Sequence, residues 1–87
     1  MYRARDDLLF HRAGDFWLLV DPETDQVHRL NAIAMWIWRH ADGVTSEQEL
    51  SKRLADLTQA PLERVVADVQ ATFRDIWALG LVREACS

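Results

Sequence analysis

Gln26-Val27-His28-Arg29-Leu30-Asn31-Ala32-Ile33-Ala34-Met35-Trp36-Ile37-Trp38 changes its hydrophobic period at Asn31. Before that residue, polar and apolar side chains alternate across Gln26–Leu30, the pattern of a strand with one buried face. After it the apolar residues follow a helical repeat. Asn31 is a good N-cap for a helix over Ala32–Ala41, with Leu30 and Met35 at hydrophobic-staple positions. This helix is apolar almost all round, which predicts a central, mostly buried element.

Working back from the switch, Asp21-Pro22-Glu23-Thr24-Asp25 is dense in turn formers: Pro22 fixes φ and Asp25 tolerates a left-handed backbone. Phe16-Trp17-Leu18-Leu19-Val20 is aromatic, aliphatic or β-branched throughout and reads as the best strand in the chain. Ala13-Gly14-Asp15 closes a shorter apolar run at Leu8–Arg12. Strands joined by short turns normally pair. An antiparallel meander results, in which Gln26–Leu30 pairs with Phe16–Val20 and leaves its other side open.

Downstream, Asp42-Gly43 ends the first helix, and two overlapping capping boxes, Thr45 with Gln48 and Ser46 with Glu49, compete to open the second. Leu50, Leu54 and Leu57 mark one face of that helix. Pro61 suits the first turn of a third helix, in which Leu62, Val65, Val66, Val69, Phe73, Ile76 and Trp77 keep helical spacing up to the Gly80 cap. Leu81-Val82 can fold back onto the core. The predicted fold is α+β: a three-stranded antiparallel β-meander followed by three helices, winged helix-turn-helix-like. Residues 1–7 read as a loose lead-in, 8–83 as one domain and 84–87 as a tail. Trp38, Leu54, Val69, Phe73 and Ile76 are expected in one core.

Composition bounds what such a domain can do. Its 87 residues have room for one core, and 49% hydrophobic with 28% charged residues is a globular balance. The longest uncharged apolar run, Ala32 to Trp38, is far short of the roughly 20 residues a membrane helix needs, so no membrane partner is expected. No basic start precedes a hydrophobic stretch, and the single cysteine, Cys86, cannot form an internal disulfide, so a cytoplasmic location is expected. The net charge of −4 opposes affinity carried by phosphate contacts. Four tryptophans, Trp17, Trp36, Trp38 and Trp77, fit either core packing or a partner groove.

Catalytic chemistry finds little support. His11, His28, His40 and Cys86 fall on four different elements, the wrong distribution for a zinc site. Gly14, Gly43 and Gly80 sit at turns or caps and form no phosphate loop. No acid–base pair is evident, so a non-enzyme without cofactor is expected. Binding remains. A winged helix would insert its third helix into the major groove. Across Pro61–Leu79, however, Glu63, Asp68 and Asp75 outweigh Arg64 and Arg74, and the helix before it is also net acidic. No nucleic-acid partner is expected, although a DNA-binding or generic protein-interaction module is the alternative reading.

One family fits these pieces in order. Leu30-Asn31, Ile37-Trp38, Asp42-Gly43 before a Thr/Ser-capped helix, then Asp68-Val69, Phe73, Ile76 and Gly80-Leu81 resemble the PqqD family over about residues 15–83. Asp25 stands where many relatives have a turn glycine, and the pair Trp36 and Trp38 is richer than usual. The resemblance implies a RiPP recognition element: a non-catalytic domain that binds the leader of a ribosomally made precursor peptide. Such domains deliver it to a modifying enzyme, which is a radical-SAM enzyme, a peptidase or a cyclase. It also implies a leader groove between the third strand and the third helix. An edge strand can accept a peptide as an added strand, which points to Gln26, Val27, His28, Arg29 and Leu30. At 100° per residue, Leu62, Val69 and Phe73 lie near the middle of the apolar stripe of the third helix. Val65 and Ile76 fall on one flank, and Val66, Gln70 and Trp77 on the other, with Arg74 beyond. Assigning the Val65–Ile76 flank to the core makes Val66, Gln70, Phe73, Arg74 and Trp77 the expected helix wall. Val66 and Trp77 also suit plain core packing, and Arg29 and Arg74 plain solvation.

Overall fold

In chain order the elements are β1 (Tyr2–Ala4), β2 (Leu9–Ala13), β3 (Phe16–Asp21), β4 (Gln26–Asn31), α1 (Ala32–Arg39), α2 (Glu47–Thr58), α3 (Leu62–Ala78) and β5 (Val82–Glu84). They come from a computed structural model that describes residues 1–84; Cys86 and the rest of the expected tail after Glu84 lie outside the described residues.

β2, β3 and β4 form the expected antiparallel meander in that spatial order. β4 pairs with β3 from Phe16↔Asn31 to Asp21↔Gln26, so the register runs the full length of both strands. The turn between them is closed by the Asp25 N–H, which donates to the Asp21 carbonyl at 2.8 Å. Asp25 adopts φ 58° there, the left-handed conformation that aspartate accepts more readily than most residues. A turn glycine is therefore dispensable at this position.

At the switch residue the Asn31 side chain accepts the Ala34 N–H at 2.8 Å, and α1 begins without a loop. Leu30 and Met35 are both buried, as staple positions should be. Of the two candidate caps for α2, Ser46 is the one used: its hydroxyl accepts the Glu49 N–H at 3.1 Å. Thr45 instead binds Asp42 through its N–H and its hydroxyl. α3 closes in a Schellman motif. The Gly80 N–H donates to Trp77 and the Leu81 N–H to Ile76, with Gly80 at φ 74°. Ile76 and Leu81 are both buried.

One core holds Leu19, Leu30, Met35, Ile37, Trp38, Leu50, Leu54, Val65, Val69, Phe73, Ile76, Leu81 and Val82, including all five residues expected there. The indole N–H of Trp38 donates to the Leu81 carbonyl at 2.9 Å in the buried interior, which satisfies a polar group that would otherwise cost stability.

Three expectations are corrected. Residues 2–4 are not a loose lead-in: β1 pairs antiparallel with β5, from Tyr2↔Glu84 to Ala4↔Val82. It is also tied to the end of α1, because the Ala4 N–H donates to Ala41 at 2.7 Å and the Gly43 N–H to Tyr2 at 3.0 Å. The Tyr2 ring stacks on Phe73 with centroids 5.1 Å apart. Leu57 is 66% exposed, because the buried face of α2 is centred toward Ser51. That hydroxyl donates back to the Glu47 carbonyl at 2.7 Å, so Ser51 is buried with its polar group satisfied. Finally, α1 is not covered all round; Ala32 and Ile33 in its first turn face solvent.

Leu30 is 6% exposed while its neighbour Arg29 is exposed. Leu30→Asp should unfold the domain at room temperature, since an unpaired buried carboxylate costs several kcal/mol or must take up a proton. A domain of this length has only roughly 0.05–0.15 kcal/mol per residue in hand. Arg29→Ala should melt close to the parent. Thermal denaturation followed by circular dichroism compares the two; a Leu30→Asp variant melting with the parent would contradict the register.

Candidate peptide-binding cleft

β4 is paired on one side only: the sheet ends with it, and no other described strand lies against it. A six-residue strand therefore presents outward-facing N–H and C=O groups at regular spacing. Its faces alternate, but the buried face carries His28 with Leu30, and the apolar Val27 lies on the exposed side with Arg29. Leu30 enters the core, while Gln26, Val27 and Arg29 are exposed and His28 is half-buried.

Beside the Asn31 end of this edge lies an open cleft of about 500 Å³, lined by Arg29, Leu30, Asn31, Ala34, Thr72, Asp75, Ile76, Ala78 and Leu79. β4 supplies one wall, the first turn of α1 the end, and the C-terminal half of α3 the other wall. Leu30, Ala34, Ile76 and Leu79 give it an apolar lining. The guanidinium of Arg29 sits 3.8 Å from the centre of the Phe16 ring, a cation–π contact that holds the long side chain against the sheet.

The structure separates the expected site residues into two groups. Gln26–Leu30 form the free edge, and Arg29 and Leu30 line the cleft. Val66, Gln70, Phe73, Arg74 and Trp77 are absent from its walls. Phe73 is buried against Tyr2, and Trp77 is 46% exposed with its ring 5.6 Å from that of Tyr2. Gln70 and Arg74 border a different recess with Tyr2 and Glu47, and Trp77 borders another with Arg5, Glu23 and Arg83. Val66 is half-buried. The wall facing β4 is the other flank of α3, Thr72, Asp75 and Leu79, just past Ile76. The apolar stripe alone cannot distinguish the flanks. The choice is made by the β1–β5 ribbon, which occupies the Tyr2 side, and that ribbon has no local sequence signal.

Long-range polar bonds hold the walls in place. Arg5 donates to Asp21 at 2.9 Å, to Asp7 at 2.6 Å and to the Gly80 carbonyl at 3.2 Å. One side chain thus ties the β3–β4 turn to the end of α3. Hydrogen bonding to Asp7 and then to Asp21 raises the Arg5 pKa further, and the Arg5 guanidinium in turn holds the Asp21 carboxyl below its ordinary range. Asp42, between α1 and α2, accepts the Thr45 N–H at 2.7 Å, the Val44 N–H at 2.9 Å and the Thr45 hydroxyl. These bonds, Thr45 first, lower its pKa to about 2.

On the opposite side of α1 is a separate recess lined by Trp17, Met35, Trp36, Arg39 and His40, in which the Trp36 and His40 rings stack at 4.2 Å. Of the four tryptophans, Trp38 is buried, Trp17 and Trp36 are half-buried, and Trp77 is the most open. Among the described residues, no group of three or more His, Cys, Asp or Glu is placed to hold a metal ion, and no helix is long and apolar enough to cross a membrane.

An open strand edge thus stands beside an apolar cleft. The family model described as Coenzyme PQQ synthesis protein D (PqqD) matches residues 17–82, more than half of the chain, and the protein belongs to that family. Among solved structures it is similar to TbiB1 in complex with the TbiA(beta) leader peptide. The two share 15% sequence identity and a TM-score of 0.77 over 98% of this chain and 99% of the other. At that identity the likeness establishes the fold. No curated protein matches the chain in sequence.

The Asp42 bonds set an acid dependence. A carboxylate whose folded pKa lies below its ordinary value of 3.8 stabilises the fold in full above that value, and the contribution is lost as pH falls through about 2. Asp21 and Asp7, both lowered by Arg5, act in the same direction. The melting temperature should therefore fall between about pH 4 and pH 2. Asp42→Ala should melt lower than the parent at neutral pH and lose less on acidification. Parallel melting curves across this range for the two proteins would contradict the assignment.

Proposed function

We propose that this protein binds the leader segment of a ribosomally synthesised precursor peptide and presents it to a modifying enzyme, acting by binding and without chemistry of its own. The leader adds antiparallel or parallel to β4 as a further strand. Backbone pairing along Gln26–Asn31 gives affinity tolerant of sequence, and a side chain seated in the cleft against Thr72, Asp75, Ile76 and Leu79 gives selectivity. The observation that carries this reading is the coincidence of the unpaired β4 edge with the apolar cleft at its end. Membership of the PqqD family supports it, as does the shared fold of a protein solved with a leader peptide. The partner enzyme would be a radical-SAM enzyme, a peptidase or a cyclase, acting in the cytoplasm on the presented peptide.

Gln26–Leu30 keep the role first assigned to them. On α3 the proposal moves the contact to the Thr72–Leu79 flank and leaves Val66, Gln70, Phe73, Arg74 and Trp77 to the packing and surface on the β1 side.

The test is affinity for the leader of a precursor peptide encoded beside the gene, with amide shifts mapping the contact. Shifts should concentrate on Gln26–Asn31 and on Thr72–Leu79. Thr72→Arg, which projects a long side chain into the cleft, should weaken binding by about 1–3 kcal/mol, the scale of an interface hot spot. Trp77→Ala should bind as the parent does. Shifts confined to Thr45–Leu57, or a loss of binding in Trp77→Ala with none in Thr72→Arg, would refute this cleft.

A further inference from the structure

The chemistry of the cleft narrows which peptides it can take. We propose that it selects leaders in which a lysine or arginine stands next to the apolar residue that fills the cleft, with Asp75 as the residue that sets this preference. The inference rests on the groove reading above and goes beyond it by naming the peptide class.

Four polar side chains line the cleft: Arg29, Asn31, Thr72 and Asp75. Asn31 uses its side-chain oxygen to cap α1. The Arg29 guanidinium lies over the Phe16 ring. Thr72 is neutral. Asp75 is exposed, and its carboxylate makes no ion pair among the described residues, whose pairs join Arg5 to Asp7 and Asp21 and Arg53 to Glu49. It is the cleft's one negative charge and stands on the α3 wall, while Arg29, the one positive charge, lies on the β4 wall against the Phe16 ring.

A second carboxylate adds to the same potential. Asp68 falls on the same helix face, in the spacing Asp68, Thr72, Asp75, Leu79, and is also exposed. Of the cations of α3, Arg74 borders the recess on the Tyr2 side, and Arg64, one turn before Asp68 on the same side of the helix, does not line the cleft. A peptide cation on the α3 side of the cleft gains from Asp75, and a peptide carboxylate there is repelled by it, while Arg29 holds the opposite charge on the β4 side. Because Asp75 is exposed, the gain is that of a partly screened pair. A change of about 3- to 10-fold in affinity is expected on reversing its charge.

Displayed libraries of random dodecapeptides, selected in parallel on the intact parent protein and on Asp75→Arg, read this preference directly. The parent pool should be enriched in Lys or Arg adjacent to an apolar residue, and the Asp75→Arg pool in Asp or Glu at the same offset. Individual peptides should lose about 3- to 10-fold when moved to the other protein, and less at roughly 0.5 M salt, where screening shortens to a few ångströms. Asp75→Asn should select with no charge preference. Equal charge preferences in the parent and Asp75→Arg pools, with amide shifts placing the peptides on Gln26–Asn31, would overturn the role of Asp75 and leave the groove reading standing. Selected peptides that leave Gln26–Asn31 unshifted in both proteins would overturn the two together.

Discussion

The burial of Leu30 in a strand that has a neighbour on one side only is the constraint on which the rest of this fold depends. A one-residue slip of β4 would carry Leu30 out of the core and bring Arg29 into it, so the register against β3 is fixed by side-chain chemistry. Leu30 is also the residue before the Asn31 cap, and α1 follows without a loop. Its burial therefore aims α1 as well as seating the strand. The free edge and the first turn of α1 are consequently rigid with respect to each other. The opposite wall is held by contacts distant in sequence: the Trp38 indole on the Leu81 carbonyl, and Arg5 spanning Asp21 and Gly80. A cleft between elements fixed in this way can be shaped before any peptide arrives, and preorganisation lowers the ordering cost of binding.

Much of this was legible in the sequence because local rules agree with one another. The period change at Asn31, the turn chemistry of Asp21–Asp25 and the Gly80 cap each mark a boundary from a few adjacent residues, and the overlapping boxes at Thr45 and Ser46 mark the start of α2 to within one residue. The same agreement placed Trp38, Leu54, Val69, Phe73 and Ile76 together. What was not legible is non-local. β1 and β5 are three residues each and include Arg3, Arg83 and Glu84, so neither shows a period. Their pairing joins Tyr2–Ala4 to Val82–Glu84 across the rest of the domain. Because that ribbon and Tyr2 cover one flank of α3, the cleft is left to the other. The helix wheel put Val66, Gln70 and Trp77 on the groove side and did not single out Thr72, Asp75 and Leu79, which line the cleft. Leu57 failed for a related reason, since a satisfied Ser51 can be buried where a leucine was expected.

An exposed strand edge is a hazard for aggregation, and this one is moderated in recognisable ways. β4 is short, carries Arg29 on its solvent face and ends against a helix wall. Those features discourage pairing with a long flat strand while leaving room for a single extended peptide. Under the proposed function the division of labour is physical: the backbone would recognise any chain that can extend, and the cleft at the Asn31 end would distinguish one chain from another. A domain of 87 residues can thereby combine modest, general affinity with selection at one or two positions, which suits delivery followed by release.

Strand addition has a signature that no other mode of peptide binding shares. Outward-facing amides of β4 should become protected from hydrogen exchange when the leader binds, and they must do so at every second residue, because the intervening amides already pair with β3. Residue-resolved exchange of the complex against the free protein measures this. Protection should rise at alternate residues along Gln26–Asn31. Unchanged exchange along β4 at saturating leader, or protection gained on α2 instead, would contradict strand addition.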